Sequence, residues 1–423
     1  MFHPFWCLGA QRKGMVITMK ITNVEELRKE FPVFRHRAYL DNACYAPGFA
    51  RCKKAVEDYY DMHMLIGCTS FHQTLAELKP VANARAEVAK LLNASEDEVA
   101  FVPSTGMGNN KFAGAIGLKA GDNVVYGDLE FPSAVLAYTA FERQGIEMRV
   151  VHHKNGRLPV EEYAKLVDKN TRVIAVSTVQ WSTGFRADLK ALVDLANSVG
   201  AYVAVDGCQS LGAFDLDVKE TGVHFVTTQA HKWLFGPMGS GFMFMRKDLI
   251  DKFDPNIVES CNLYKDPARQ PYHHQPDLSI DRDYAIKFVD TAAKFQSASN
   301  IMGIWAMNES LRCINEYGIK NIEERIQYLV DVLRDGLNTV PGLTVLSPEE
   351  RECRSGIVIA SYGDLHADLG MMDTLSDLGV AVSCRYQANF GGLRVSPHFY
   401  NNEEDIDKLI CALKGETKPL YFH

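Results

Sequence analysis

Residues 202–242 read YVAVDGCQSLGAFDLDVKETGVHFVTTQAHKWLFGPMGSGF. A short β-branched run, Tyr202 to Val205, stops abruptly at an acid, Asp206. A second run, Phe225 to Gln229, is followed by His231-Lys232 and then by the turn Gly236-Pro-Met-Gly-Ser-Gly241. Further runs begin near residues 99, 124, 148, 173 and 241, and stretches with helical periodicity separate most of them. Strands alternating with helices predict a mainly parallel sheet covered on both faces. The expected fold class is therefore α/β, a large domain with a seven-stranded sheet between helices and a smaller α+β C-terminal domain. Ligands of such sheets bind at the carboxyl ends of the strands, where Asp206 and Lys232 fall.

An acid at a strand end and a lysine in a glycine-flanked loop are the parts that a pyridoxal phosphate (PLP) enzyme needs. The lysine amine links to the cofactor aldehyde as a Schiff base, and the acid pairs with the ring nitrogen. Each residue alone has a plainer reading. Asp after an apolar strand is common in α/β proteins, and a loop lysine is usually a solvated charge. Order, spacing and flanks carry the case. Val205-Asp206-Gly207-Cys208-Gln209, then His231-Lys232, then Gly236 to Gly241 resemble the class V aminotransferase superfamily of fold-type-I PLP enzymes. The pattern looks closer to its isopenicillin-N-epimerase-like and C–S lyase branch than to the true cysteine desulfurases.

The composition fits this reading. The chain has 423 residues, 47% of them hydrophobic, enough for a sizeable core. Its 45 basic and 53 acidic side chains are intermixed and give a net charge of −8. That balance argues against nucleic acid or an anionic membrane as the main partner. The 10 cysteines are scattered with no CxxC pair, which reads as reduced thiols and a cytoplasmic protein. His152-His153 and His273-His274 lack the partners of a metal site, so no metal is expected. No apolar run approaches the ~18 residues of a membrane helix. Residues 1–20 put apolar residues before basic ones, the reverse of a secretory signal. They are expected to be a peripheral extension, with Met15 or Met19 as alternative starts.

In chain order, Thr22 and Glu25 form a capping box for a helix within 21–37, expected to pack near the small domain. The large domain is expected over 38–290 and the small one over 291–423. Helices are expected over 50–66 and 72–93, and a strand from Val99. Ser104-Thr105-Gly106-Met107-Gly108 then opens an apolar helix. Such a turn offers free N–H groups and hydroxyls to an anion. Beside the lysine motif it reads as the phosphate loop, with Thr105 and Gly106 as best candidates and Lys111 facing solvent. Residues 254–285 read as a proline-rich loop lining a cleft or an interface.

The resemblance assigns further roles. Asn42, in Tyr39-Leu-Asp-Asn42, approaches the substrate side; the plainer reading is a strand-to-loop corner. Phe131 stands where desulfurases place a ring-stacking histidine, and stacking contributes roughly 0.5–1.5 kcal/mol. Trp181, a wall of the site or else core, stands near where many relatives carry Asn. Gln209 meets the phenolic oxygen of the cofactor. His231 and Gln229 touch its phosphate. Ser297 or Ser299 reaches the phosphate of a neighbouring subunit, which implies a homodimer with shared sites. Arg394, in Leu393-Arg394-Val395-Ser396 before Tyr400-Asn401, binds the substrate carboxylate through a planar two-point contact. Arg385 is a second anchor. Desulfurases carry a nucleophilic cysteine on the loop after Arg385, whereas Tyr386 to Phe390 has none, and Cys384 is expected to point elsewhere.

These residues imply an enzyme that acts on an amino acid by removing a Cα proton. A β-eliminating C–S lyase ranks first, an aminotransferase or epimerase second, and a cysteine desulfurase below them. Outside that class stand a non-enzymatic PLP binder, which would not need the set Asp206, Gln209, Lys232 and Arg394, and a Rossmann dehydrogenase, whose GxGxxG spacing residues 104–109 lack.

Overall fold

The structure, a computed structural model, describes residues 23–67, 71–259, 262, 288–297 and 300–416. The N-terminal extension, Thr22, most of 254–285 and Ser299 lie outside the described residues. The first described helix, Val24–Arg28, is capped by the Asn23 side chain, which accepts from the Glu26 amide.

Thirteen strands occur among the described residues. They are β1 (Ala38–Tyr39), β2 (Val99–Phe101), β3 (Asn123–Gly127), β4 (Glu147–Val151), β5 (Thr171–Ser177), β6 (Tyr202–Asp206) and β7 (Phe225–Gln229), then β8 (Gly241–Met245), β9 (Thr344–Val345), β10 (Val358–Ser361), β11 (Val380–Ala381), β12 (Ser383–Gln387) and β13 (Phe390–Val395). Seven of them form the large sheet, in the order β2-β8-β7-β6-β5-β3-β4. The expected α/β fold with its seven-stranded sheet is therefore present.

Pairing is parallel from β7 through β6, β5 and β3 to β4, while β8 runs antiparallel to both β7 and β2. The reason is chain length. A parallel return needs a crossover of a dozen or more residues, and Ala230 to Ser240 is too short for one. The chain turns straight back instead, and that turn carries His231 and Lys232.

Strand β6 shows why these strands read as near-continuous apolar runs. Val203 and Val205 enter one core with Ile174 and Val176. Tyr202 and Ala204 enter the opposite core with Val173 and Ala175. Side chains alternate across the sheet and both faces are covered. Each fully buried valine contributes about 1.5–3 kcal/mol.

Helix Thr105–Ala115 packs on β7, β8 and helix Pro132–Thr139. This corrects the expectation for Lys111. It is 1% exposed rather than solvent-facing, because more than one face of its helix is covered. The same packing explains Gly108, where a Cβ would lie 2.1 Å from Thr227 Oγ1. Gly108→Ala is expected to destabilise. Overpacking costs about 1–3 kcal/mol, against a gain of about 1 kcal/mol in helix propensity. A lower urea midpoint at unchanged slope is the expected readout.

Helices Ile301–Tyr317 and Ile319–Leu337 lead into a four-stranded antiparallel sheet, β12-β13-β10-β9. The N-terminal segment docks beside it. β1 pairs in parallel with β11, and Arg28 makes a two-point contact with Asp405 at 2.7 and 3.2 Å. Phe31 lies against Tyr400 and Phe235, with centroids 4.2 and 5.6 Å away. Segments from both ends of the chain thereby close over the turn that bears Lys232.

Candidate active site

A cleft opens at the carboxyl ends of β5, β6 and β7. Phe131, Ser133, Ser177, Trp181, Asp206, Cys208, Gln209, Gln229 and Lys232 line it, and it encloses about 270 Å³ including space open to solvent. Six of the residues singled out from sequence meet here: Lys232, Asp206, Phe131, Trp181, Gln209 and Gln229.

Asp206 ends β6 and is 5% exposed. Its Oδ1 accepts from the Cys208 amide at 2.9 Å. Burial pushes its carboxyl above the ordinary range, while the Cys208 N–H and the Lys232 charge oppose that rise. Lys232 is half-buried, and its Nζ lies 5.5 Å from the centre of the Phe131 ring. Phe131 in turn meets Trp181 edge-on at 5.4 Å. Three residues past Lys232 the backbone of Phe235 takes φ 37°, a left-handed conformation uncommon for a bulky residue. The residue is 2% exposed, and the aromatic cluster around it holds it there.

His231 is 7% exposed and its ring lies tilted against Tyr45 with centroids 4.9 Å apart, while its Nδ1 is buried without a hydrogen-bond partner. Burial, and secondarily the Lys232 charge, pushes its imidazole down to about 4, so it is neutral near pH 7. A buried, unpartnered ring nitrogen beside the cleft is a polar atom that awaits a ligand.

Other candidates are already engaged by the protein. Gln209 donates from Nε2 to the Ala43 carbonyl at 3.1 Å and accepts from Trp233 Nε1 at 2.8 Å; its amide retains one further N–H. Ser104 caps its helix, accepting from the Met107 amide at 3.2 Å. Thr105 Oγ1 lies 2.7 Å from Cys208 Sγ. Gly106 adjoins the cleft: a Cβ there would lie 3.7 Å from Ser133, an ordinary contact. Ser297 is buried beyond the end of β2, where its amide donates to the Phe101 carbonyl.

A second group sits by the four-stranded sheet. Asn42 is fully buried; its Oδ1 accepts from the Tyr400 hydroxyl and its Nδ2 has no partner. Arg394 is 1% exposed. It donates from Nε to Ser383 Oγ at 3.1 Å, from Nη1 to the Trp181 carbonyl at 3.1 Å and from Nη2 to Asp41 at 3.4 Å. A guanidinium has five N–H groups, so one remains on each terminal nitrogen. Arg385 donates to its neighbour's carbonyl, that of Cys384, and reaches Cys44 Sγ at 3.4 Å. Strand alternation turns Cys384 to the opposite face of β12, where Asp368 lies near it.

Sequence reasoning passed over Ser133, Ser177, Cys208, Glu130 and Gln387. Gln387 lies at the end of β12, and its Nε2 donates to the carbonyls of Asp128 and Glu130 at 2.7 and 3.0 Å. Its Oε1 accepts from Trp181 Nε1 at 2.5 Å. No local motif announces such a long-range bracket. Ser177 had a signal, since it ends a strand next to β6 and pairs there with Asp206.

The donors present fit PLP: an amine, a buried acid, an aromatic face, and a histidine with an unpartnered buried ring nitrogen next in sequence to the amine. No group of metal-binding side chains occurs among the described residues. Residues 38–409 match the family model for aminotransferase class-V. The chain belongs to this family. It is a PLP-dependent enzyme of fold type I. A relative from Klebsiella pneumoniae, named a cysteine desulfurase, is 28% identical over 94% of this chain and 99% of its own length. Among solved structures, a cysteine desulfurase from Thermococcus onnurineus superposes with a TM-score of 0.82 at 22% identity, covering 95% of this chain and 99% of that one. A cystine C–S lyase superposes at 0.80 with 19% identity, over 92% of this chain and 100% of that one. The two structures speak to the fold. The desulfurase names among the relatives do not support the expectation that this class V chain stands apart from the true desulfurases.

Proposed function

We propose that this enzyme cleaves the carbon–sulfur bond of a cysteine-type amino acid by β-elimination. The observation that carries the reading is the turn between β12 and β13. It consists of Ala388 and Asn389, both at left-handed φ of 49° and 63°, with no cysteine. Gln387 holds it to residues 128–130, and His153 Nε2 lies 3.1 Å from the Ala388 carbonyl. A thiol-bearing loop in desulfurases follows this position; here a pinned hairpin replaces it. Sulfur then leaves with the product rather than on the enzyme.

When bound, PLP supplies an electron sink conjugated to the substrate amine. Lys232 holds the cofactor aldehyde and, once released, takes the Cα proton on Nζ. Asp206 keeps a proton on the ring nitrogen. His231 and the first turn of helix Thr105–Ala115 take the phosphate. Phe131 and Trp181 wall the ring and exclude water. Arg394 and Arg385 hold the carboxylate and so orient the Cα–H bond. As the proton reaches Lys232, the electron pair forms Cα=Cβ and the Cβ–S bond breaks toward sulfur. The Lys232 amine would return to the cofactor aldehyde, and water would convert what remains of the substrate to a keto acid and ammonia.

A second reading, cysteine desulfuration, is favoured by the relatives' names and by Cys44, a half-buried thiol against Arg385. Product analysis with cysteine and cystine separates the two. Keto acid and ammonia in equal amounts support elimination. Alanine with a persulfide on Cys44 supports desulfuration and overturns elimination.

A further inference from the structure

Glu130 precedes Phe131 and is 4% exposed. Its carboxyl collects three donors. The Ser177 amide reaches Oε2 at 2.9 Å, and the Ser177 hydroxyl reaches it at 2.5 Å. Gln180 Nε2 reaches Oε1 at 2.6 Å. Titratable groups coupled to it are Asp206 from β6 and Tyr163 from helix Val160–Ala164, the latter also coupled to Asp128 on the same loop as Glu130. None of these is a cation, and among the described residues the carboxyl makes no ion pair.

Its route to the cleft runs through Ser177. Ser177 pairs with Asp206 in the register of β5 and β6, and both line the cleft. A serine hydroxyl has one hydrogen to give. With Glu130 ionised, that hydrogen points to Oε2 and the oxygen turns its lone pairs toward the cleft. With Glu130 protonated on Oε2, the carboxyl donates to Ser177 Oγ. The serine hydrogen is then free to point at the cleft.

We propose that Glu130 is a positioning residue that sets whether Ser177 accepts or donates a hydrogen bond at the cleft floor beside Asp206. The role rests on the cofactor reading of Lys232 and Asp206 and holds for either outcome at the C–S bond. Burial pushes the Glu130 carboxyl up to about 7, Asp206 adds to the rise, and Ser177 and Gln180 oppose it. That rise brings the exchange between the two hydroxyl directions toward the neutral range.

The test pairs two titrations. Cofactor absorbance is followed across neutral pH in the holoenzyme, and the carboxyl infrared band in cofactor-free protein. Wild type is expected to show an inflection near pH 7 in both. Glu130→Gln should lose both. Ser177→Ala should keep the infrared titration and lose the absorbance inflection. An absorbance inflection that survives Ser177→Ala overturns the proposal, and that variant decides the matter alone if Glu130→Gln does not fold. A wild-type protein without a borohydride-reducible chromophore on Lys232 overturns the cofactor reading and the proposal with it.

Discussion

Lys232→Ala is expected to fold normally, to turn over no substrate, and to carry no borohydride-reducible cofactor. Two losses combine. The variant has no amine to bind the cofactor aldehyde, and no base at the cleft to take the Cα proton. General acid–base help alone is worth about 10²–10⁴-fold, and the lost covalent attachment adds to it. Stability should change by no more than about 0.5 kcal/mol, because the amine faces the cleft beside Phe131 rather than the core. Mass spectrometry after borohydride treatment is the decisive measurement. An adduct that persists in the variant means another lysine carries the cofactor. Lys111, buried in the helix that follows Ser104, is the first to examine.

The sheet was legible because its central strands are buried on both faces. Such strands read as unbroken apolar runs, and their polar ends then mark the ligand side. Asp206 was visible for that reason, and Lys232 through its order and spacing between the acid and the glycine-rich turn. Roles that depend on register were not visible. Glu130, the Ser177–Gln180 stretch and Gln387 come from three separate segments, and only the pairing of β3 with β5 and the closure of the hairpin bring them together. A residue-type default failed at Lys111. Lys111 looked solvated because lysine usually is, yet its helix is covered on more than one side. Gln209, expected to meet the cofactor, also ties the protein together at both ends of its amide and keeps one N–H besides. The antiparallel setting of β8 was readable in principle, because the loop before it is too short to cross over.

Arg394→Lys is expected to raise KM for the amino-acid substrate about 10- to 100-fold with a smaller change in kcat, since a charge-assisted hydrogen bond is worth roughly 1.5–3 kcal/mol. The guanidinium is fixed on three sides, by Ser383, the Trp181 carbonyl and Asp41. One N–H on each terminal nitrogen is left for a carboxylate, the geometry of a parallel two-point contact. An ammonium keeps the charge and loses that geometry. Lysine is the right replacement for a second reason. Alanine would leave Asp41, largely buried, without its principal cation. Removing one member of a buried pair costs about 3–5 kcal/mol, so a fall in activity would then be confounded with unfolding. With lysine in place, thermal stability should hold while the substrate is bound less tightly. Substrate amides, which lack the carboxylate charge, should show little difference between variant and wild type. If KM for the free amino acid stays unchanged, Arg394 serves only to tie Asp41 to β13, and the carboxylate falls to Arg385.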